Sequence, residues 1–254
     1  MNPVICASFL INSINMNNNH CVIVFGATGF IGSHLISRLS KEKVRTFAIT
    51  RNNKKFVIPD KINNISWIHW DDVVDTIKKN NKESLKNVTI FHLAAKISVS
   101  DSLHDPNKFI SENLLITSYI SDIISHLNHE PKVIYLSSDR VFGHAFGEID
   151  EDVSPKPIDP YGLSKFFGEE LLRLNSLQNS QRTLIIRASN IYGHFQKSNQ
   201  FISSLFKRFW KGEKTIKVGN LNVERNFLYI DDLVSGLVSA LYYKQKNNFE
   251  YFHF

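Results

Sequence analysis

The sequence predicts an α/β fold built on a doubly wound parallel sheet. Three observations carry that expectation: short β-branched apolar runs without polar alternation, helical periodicity between them, and a glycine-rich turn where the first run meets the first helix. Strands buried on both faces read as near-continuous apolar runs, and parallel neighbours need crossover connections in place of tight hairpins.

The first run is Cys21-Val22-Ile23-Val24-Phe25, which stops at Gly26. Ile31, Leu35 and Leu39 follow at four-residue steps and give the next helix an apolar stripe. Further strands are expected at Arg45 to Ile49, Ile65 to His69, Val88 to Leu93, Val133 to Leu136 and Leu184 to Ile186, with helices between most of them. Pro155, Pro157 and Pro160 follow Gly147 and predict an irregular loop, suited to bordering a cleft, before a helix that starts near Tyr161. Tyr251-Phe252-His253-Phe254 reads as a strand entering a C-terminal lobe.

With 254 residues and 43% hydrophobic content, the chain can bury a sizeable core. No apolar run approaches the roughly 20 residues of a membrane span, so no membrane partner is expected. Two cysteines, Cys6 and Cys21, are too few for a disulfide framework and fit a reducing, cytoplasmic setting. The net charge of +6 comes from scattered lysines and arginines with no recognition motif, which argues against nucleic acid and suits anionic cofactors or substrates. His126 and His129 fall at helical spacing without a third ligand, so no metal is expected.

Gly26, Gly29 and Gly32 recur at three-residue intervals between a strand and an amphipathic helix. Such a turn lets a pyrophosphate approach the backbone while the helix N-terminus offers free N–H groups and a positive dipole end. Gly26, Thr28, Gly29, Phe30, Ile31 and Gly32 are the candidate cofactor residues there. An NAD enzyme places a carboxylate about twenty residues past the glycines. This chain offers Thr50 and Arg51, followed by Lys54 and Lys55. A 2′-phosphate would meet positive charge, so NADP(H) is favoured over NAD(H); the competing reading is a solvated basic loop.

Tyr161 and Lys165, four apart, share one helix face. A phenol has an unperturbed pKa of about 10, and a nearby ammonium stabilises the phenolate toward acid/base work. Ser138 follows the run Val133 to Leu136, at the carboxyl edge where open parallel sheets bind ligands, and its hydroxyl is placed to hydrogen-bond a reacting oxygen.

The turn Gly26 to Gly32, together with His92-Leu93-Ala94-Ala95, Ser137 to Gly143, Tyr161-Gly162-Leu163-Ser164-Lys165, Arg187 to Gly193 and Arg225 to Asp232, resembles the extended short-chain dehydrogenase/reductase family. That family comprises NAD(P)-dependent epimerases, dehydratases and reductases acting largely on nucleotide sugars. The resemblance covers about residues 20–254. It implies a Rossmann-like NAD(P)-binding domain over 17–254 with substrate-lobe elements from about residue 190; residues 1–16 are an extension with no assigned role. It further implies that Lys165 holds the nicotinamide ribose, that Asp71 or Asp72 approaches the adenine, and that Ala94, Ala95 and Asn113 line the cofactor. Asp139, Asn190 and Arg225 fall to the substrate, Arg225 through a phosphate or, alternatively, an ordinary salt bridge to nearby acids.

Dehydratases in the family carry an Asp-Glu pair after the Ser/Thr, whereas this chain has Asp139 and Arg140, so 4,6-dehydration is disfavoured. Phe142 stands where the family often has tyrosine. The expected function is an epimerase or reductase acting on a nucleotide-linked sugar, with Ser138, Tyr161 and Lys165 catalytic. A non-catalytic NADP(H)-binding sensor on the same fold is the alternative, and a homodimer stays open as the assembly.

Overall fold

The computed structural model describes residues 20–51, 63–80, 85, 87–127, 130–144, 147, 149, 153–179, 181–197, 199–220, 222 and 224–254. Cys6 and the extension 1–16, Lys54, Lys55 and His129 lie outside them. In chain order the strands are β1 (His20–Phe25), β2 (Arg45–Thr50), β3 (Ile65–His69), β4 (Asn87–His92), β5 (Lys132–Ser138), β6 (Arg182–Ala188), β7 (Asn190–Tyr192), β8 (Phe227–Tyr229) and β9 (Phe249–His253). The helices are α1 (Phe30–Lys41), α2 (Val73–Asn80), α3 (Val99–His104), α4 (Pro106–Ser125), α5 (Pro160–Gln178), α6 (Phe201–Trp210) and α7 (Ile230–Tyr242).

The main sheet runs β3-β2-β1-β4-β5-β6-β9, and each neighbouring pair is parallel. Strand order reverses between β1 and β4, which opens a crevice beyond their carboxyl ends. The two-residue period of β1 serves both faces. Val22 and Val24 join Leu35, Leu39, Leu233 and Leu237 of α1 and α7, while Cys21, Ile23 and Phe25 join Ile120, Ile123 and Leu172 of α4 and α5. That double burial is why the strand sequences show no polar alternation.

The six strands expected from the apolar runs are present. The C-terminal segment is placed differently from expectation: β9 does not enter a lobe but pairs with β6, Ile185 against Tyr251, and closes the edge of the main sheet. The crossover through α7, whose Leu233, Leu237 and Leu241 are buried, delivers it there in parallel orientation. A separate pair, β7 with β8, forms a small parallel sheet beside the main one, with Ile191 opposite Leu228. Among the described residues, no helix is long and apolar enough to cross a membrane, and no group of three metal-ligating side chains occurs.

One ion pair ties four of these elements together. Arg187 on β6 donates to Glu169 on α5, Nη2 to Oε2 at 2.7 Å and Nε to each oxygen at 3.2 Å. Ser137 of β5 donates to the same carboxylate. The Arg187 guanidinium lies between the rings of Phe142 (4.9 Å) and Tyr251 of β9 (4.6 Å), and the pair is 5% and 1% exposed. Removing one partner leaves a buried charge unmatched, which costs about 3–5 kcal/mol. Arg187→Met should therefore lower unfolding stability by that amount in urea titration. Arg187→Met combined with Glu169→Leu should recover most of the loss.

Candidate active site

The glycine turn is shaped by contacts that a side chain would break. Gly26 has φ +84°, and a Cβ there would sit 2.8 Å from the Ala94 backbone nitrogen. A Cβ on Gly32 would come within 2.1 Å of the Gly26 carbonyl oxygen, so the first turn of α1 lies directly on the β1–α1 turn. Gly29 is the N-cap of α1, with no side chain capping the helix and no acid in its first turn. Thr28 and Gly29 are exposed. The first-turn N–H groups and positive dipole end therefore face outward, beside the crevice between β1 and β4. These residues fit the pyrophosphate of a dinucleotide: the turn is close-packed beneath and open above. Phe30 and Ile31 anchor the turn by packing against the core.

Ala94 and Ala95 follow β4 after Leu93 and are half-buried, Ala94 against Gly26. Asn113, on α4, is buried and fully hydrogen-bonded through its side-chain amide. Its amide oxygen accepts from Lys96 N–H at 2.8 Å, and its nitrogen donates to Lys96 C=O at 3.1 Å and Ser164 Oγ at 2.9 Å. Both amide hydrogens are thus spent within the protein. Ser164 in turn donates to the Tyr161 carbonyl at 2.8 Å, so Asn113 ties the loop after β4 to the start of α5.

At the outer end of the crevice Arg51 follows β2, its Cζ 4.4 Å from the Trp70 ring. Asp71 and Asp72 lie in the single 3₁₀ turn Trp70–Asp72 after β3, and the Asp71 carboxylate is 3.4 Å from His69 Nδ1.

Ser138 ends β5, and Tyr161 is the second residue of α5. Ser138 Oγ accepts from Arg140 N–H at 3.2 Å, donates to Asp139 Oδ1 at 3.1 Å, and lies close enough to the Tyr161 phenol to favour its ionisation. Burial pushes the Tyr161 phenol up to about 12, with Asp139 and Asp159 adding to the rise and Ser138 and Arg140 opposing it. Lys165 is buried, its Nζ 4.3 Å above the Tyr135 ring. Burial brings its ammonium down to about 7, against the pull of Glu169.

Asp139 is raised by burial, while Ser138, Arg140 and Arg225 hold it down. Arg225, just ahead of β8, therefore shares the electrostatic field of Asp139. Asn190 opens β7 and donates to the Asn226 carbonyl at 3.0 Å, which joins β7 to the approach to β8. Sequence reasoning used Arg140 only as a departure from the dehydratase pattern. In the structure its guanidinium pairs with Asp159 at 2.7 Å, and Asp159 caps α5 through Gly162 N–H at 2.8 Å. A Cβ on Gly162 would lie 2.5 Å from the Arg140 carbonyl oxygen, so α5 starts in backbone contact with the turn after β5. The Asp159-Pro160 pair was a legible N-terminal signal.

Tyr135, which carried no sequence signal, lies beneath Lys165, beside His92. His92 ends β4, fully buried, 3.0 Å from Thr117 Oγ1 and 4.7 Å ring to ring from Tyr135; burial and Lys165 hold it well below the usual histidine range and neutral. A cavity of about 610 Å³ lies at the opposite, amino edge of the sheet, lined by His20, Lys132, Arg182 and Tyr243 among others. Lys132 there donates to the carbonyls of Ala240 and Tyr243 and so terminates α7.

The chain is 29% identical to a putative UDP-glucose 4-epimerase of Methanocaldococcus jannaschii, over 89% of this chain and 74% of that protein. It is also 29% identical to the dTDP-D-glucose 4,6-dehydratase of Dictyostelium discoideum, over 84% of this chain and 54% of that one. Among solved structures, MoeE5 in complex with UDP-glucuronic acid and NAD superimposes with a TM-score of 0.79 at 27% identity, covering 91% of this chain and 75% of that one. Residues 22–251 match the family model, so the chain belongs to the NAD dependent epimerase/dehydratase family.

Proposed function

We propose that the protein is an epimerase or reductase of a nucleotide-linked sugar that works by reversible hydride transfer, with Tyr161 as the acid/base. The observation that carries this is the meeting of Ser138, at the carboxyl end of β5, with the buried Tyr161 phenol at the start of α5, with Lys165 one helical turn further on. When bound, the nicotinamide supplies the hydride acceptor or donor at a carbinol carbon. Tyr161 exchanges the hydroxyl proton, and Ser138 hydrogen-bonds the same oxygen as its charge develops. Lys165 holds the nicotinamide ribose, and Gly26, Thr28, Gly29 and Gly32 cradle the pyrophosphate. Arg225, with Asn190 and Asp139, meets the substrate, from elements that begin near residue 190.

Arg140 supports the choice of reaction, since its guanidinium is paired with Asp159 and offers no base for water loss. Arg51 supports NADP(H) over NAD(H). The naming of MoeE5 with NAD and UDP-glucuronic acid supports a nicotinamide cofactor and a nucleotide-sugar substrate.

Tyr161→Phe keeps the ring and removes the proton carrier. Turnover of the protein on a panel of UDP-, dTDP- and GDP-sugars should fall by roughly 10²–10⁴-fold, with cofactor affinity unchanged. Mass analysis of the wild-type reaction should show an epimer or a reduced sugar; a 4-keto-6-deoxy product would contradict this reading.

Gly29→Val should abolish nicotinamide-nucleotide binding in calorimetry while circular dichroism stays at the wild-type signal, because the branched side chain occupies the space above the turn. Unchanged affinity would place the cofactor elsewhere.

The Lys165 ammonium also predicts a pH dependence. Its folded pKa of about 7 lies below the ordinary 10.5, so between these values the unfolded chain binds more protons. The penalty is fully present below pH 7 and is relieved as pH rises toward 10.5. Lys165→Met should therefore be more stable than wild type at pH 6, and the Tm gap should close steadily between pH 7 and 10. A gap independent of pH would mean that Lys165 is not held in a desolvated site.

A further inference from the structure

The carboxyl end of β2 carries a stack of planar groups. Arg51 Cζ lies 4.4 Å from the Trp70 ring, and Trp70 stacks on Tyr119 with centroids 4.6 Å apart and planes 20° apart. Phe25 meets Trp70 edge-on at 5.5 Å. The Tyr119 hydroxyl donates to the Trp70 carbonyl at 3.0 Å, so one side chain of α4 braces both the ring and the backbone of Trp70. The main chain of Arg51 is held as well. His69 Nε2 is 3.0 Å from the Arg51 carbonyl oxygen, and His69 Nδ1 accepts from Asp71 N–H at 3.4 Å.

We propose that Trp70 determines cofactor choice by holding Arg51: its braced indole fixes the guanidinium plane at the end of β2, where the edge donors meet the 2′-phosphate of an adenosine. A free arginine loses much side-chain rotamer freedom when it binds a phosphate, whereas one already lying on an aromatic face has lost it beforehand. Stacking engages the face of the guanidinium and leaves its edge N–H groups for bidentate pairing. β1 ends at Phe25 opposite Ile49, so Arg51 lies two residues beyond that partner, just past the end of the strand next to the glycine turn. This inference rests on the reading of Arg51 as the 2′-phosphate ligand. It adds that Arg51 is effective only because Trp70 positions it.

The test is calorimetric binding of adenosine 2′,5′-bisphosphate against 5′-AMP, two probes that differ by the one phosphate. Wild type should prefer the bisphosphate. Trp70→Leu should reduce that preference about three- to fivefold, the loss of one exposed cation–π contact, with 5′-AMP affinity held within twofold. Trp70→Phe should keep the preference within twofold of wild type. Arg51→Ala should remove it, and adding Trp70→Leu to Arg51→Ala should change nothing more. If Trp70→Leu loses its circular dichroism signal and its 5′-AMP binding together, Trp70→Met, which keeps bulk without a ring, makes the same comparison.

A preference that survives the loss of the Trp70 ring but not of Arg51 overturns the role of Trp70 and leaves the Arg51 reading standing. Equal binding of both probes by wild type overturns both.

Discussion

The Glu169–Arg187 ion pair is the constraint on which the rest of the site depends. Glu169 lies four residues after Lys165, so a carboxylate anchored to the sheet also fixes the helix face that carries Lys165 and, one turn earlier, Tyr161. Arg187 supplies the fork of donors, Ser137 adds a hydroxyl, and the rings of Phe142 and Tyr251 cover the two faces of the guanidinium. A buried pair of this kind is a weak source of net stability, because desolvating two charges offsets most of their attraction. What it does impose is geometry. A hydrophobic contact tolerates sliding of α5 along β5 and β6, whereas charge-assisted hydrogen bonds buried in low dielectric do not.

The other contacts around the site extend that placement outward. Asp159 caps α5 and is gripped by Arg140, Gly162 lets the helix start in contact with the Arg140 backbone, and Asn113 with Ser164 ties the same helix start to the loop after β4. Through Ala94 that loop touches Gly26. The proposed acid/base and the proposed pyrophosphate cradle are therefore joined by a short chain of side-chain hydrogen bonds and backbone contacts across the point where strand order reverses. The low position of the Lys165 ammonium and the high position of the Tyr161 phenol follow from the same burial.

Much of the fold was legible in the sequence because its signals are local. Apolar runs marked the strands, and glycine spacing marked a turn whose Gly26 and Gly32 have no room for a Cβ. Tyr161 and Lys165 were visible because four residues make one helical turn. The missed features are those in which sequence distance and spatial distance part company. Glu169 and Arg187 are eighteen residues apart on different elements, and Arg187 was visible only as the start of a motif. β9 was legible as a strand, but its partner was set by the α7 crossover and not by its own residues. No sequence signal announced that the Asn113 amide bonds Lys96 and Ser164, or that Glu169 acts on the buried Lys165. Composition says nothing about which partner a buried polar group finds.

Amide hydrogen exchange on Glu169→Gln tests the central claim most directly. The substitution keeps the shape of the side chain but removes the charge that Arg187 meets. If the ion pair positions the catalytic helix, exchange should accelerate across the first half of α5 and the turn after Ser138, while the amides of β1 and β2 keep their wild-type protection. Unchanged exchange in α5, or a uniform increase across the whole sheet, would contradict the account.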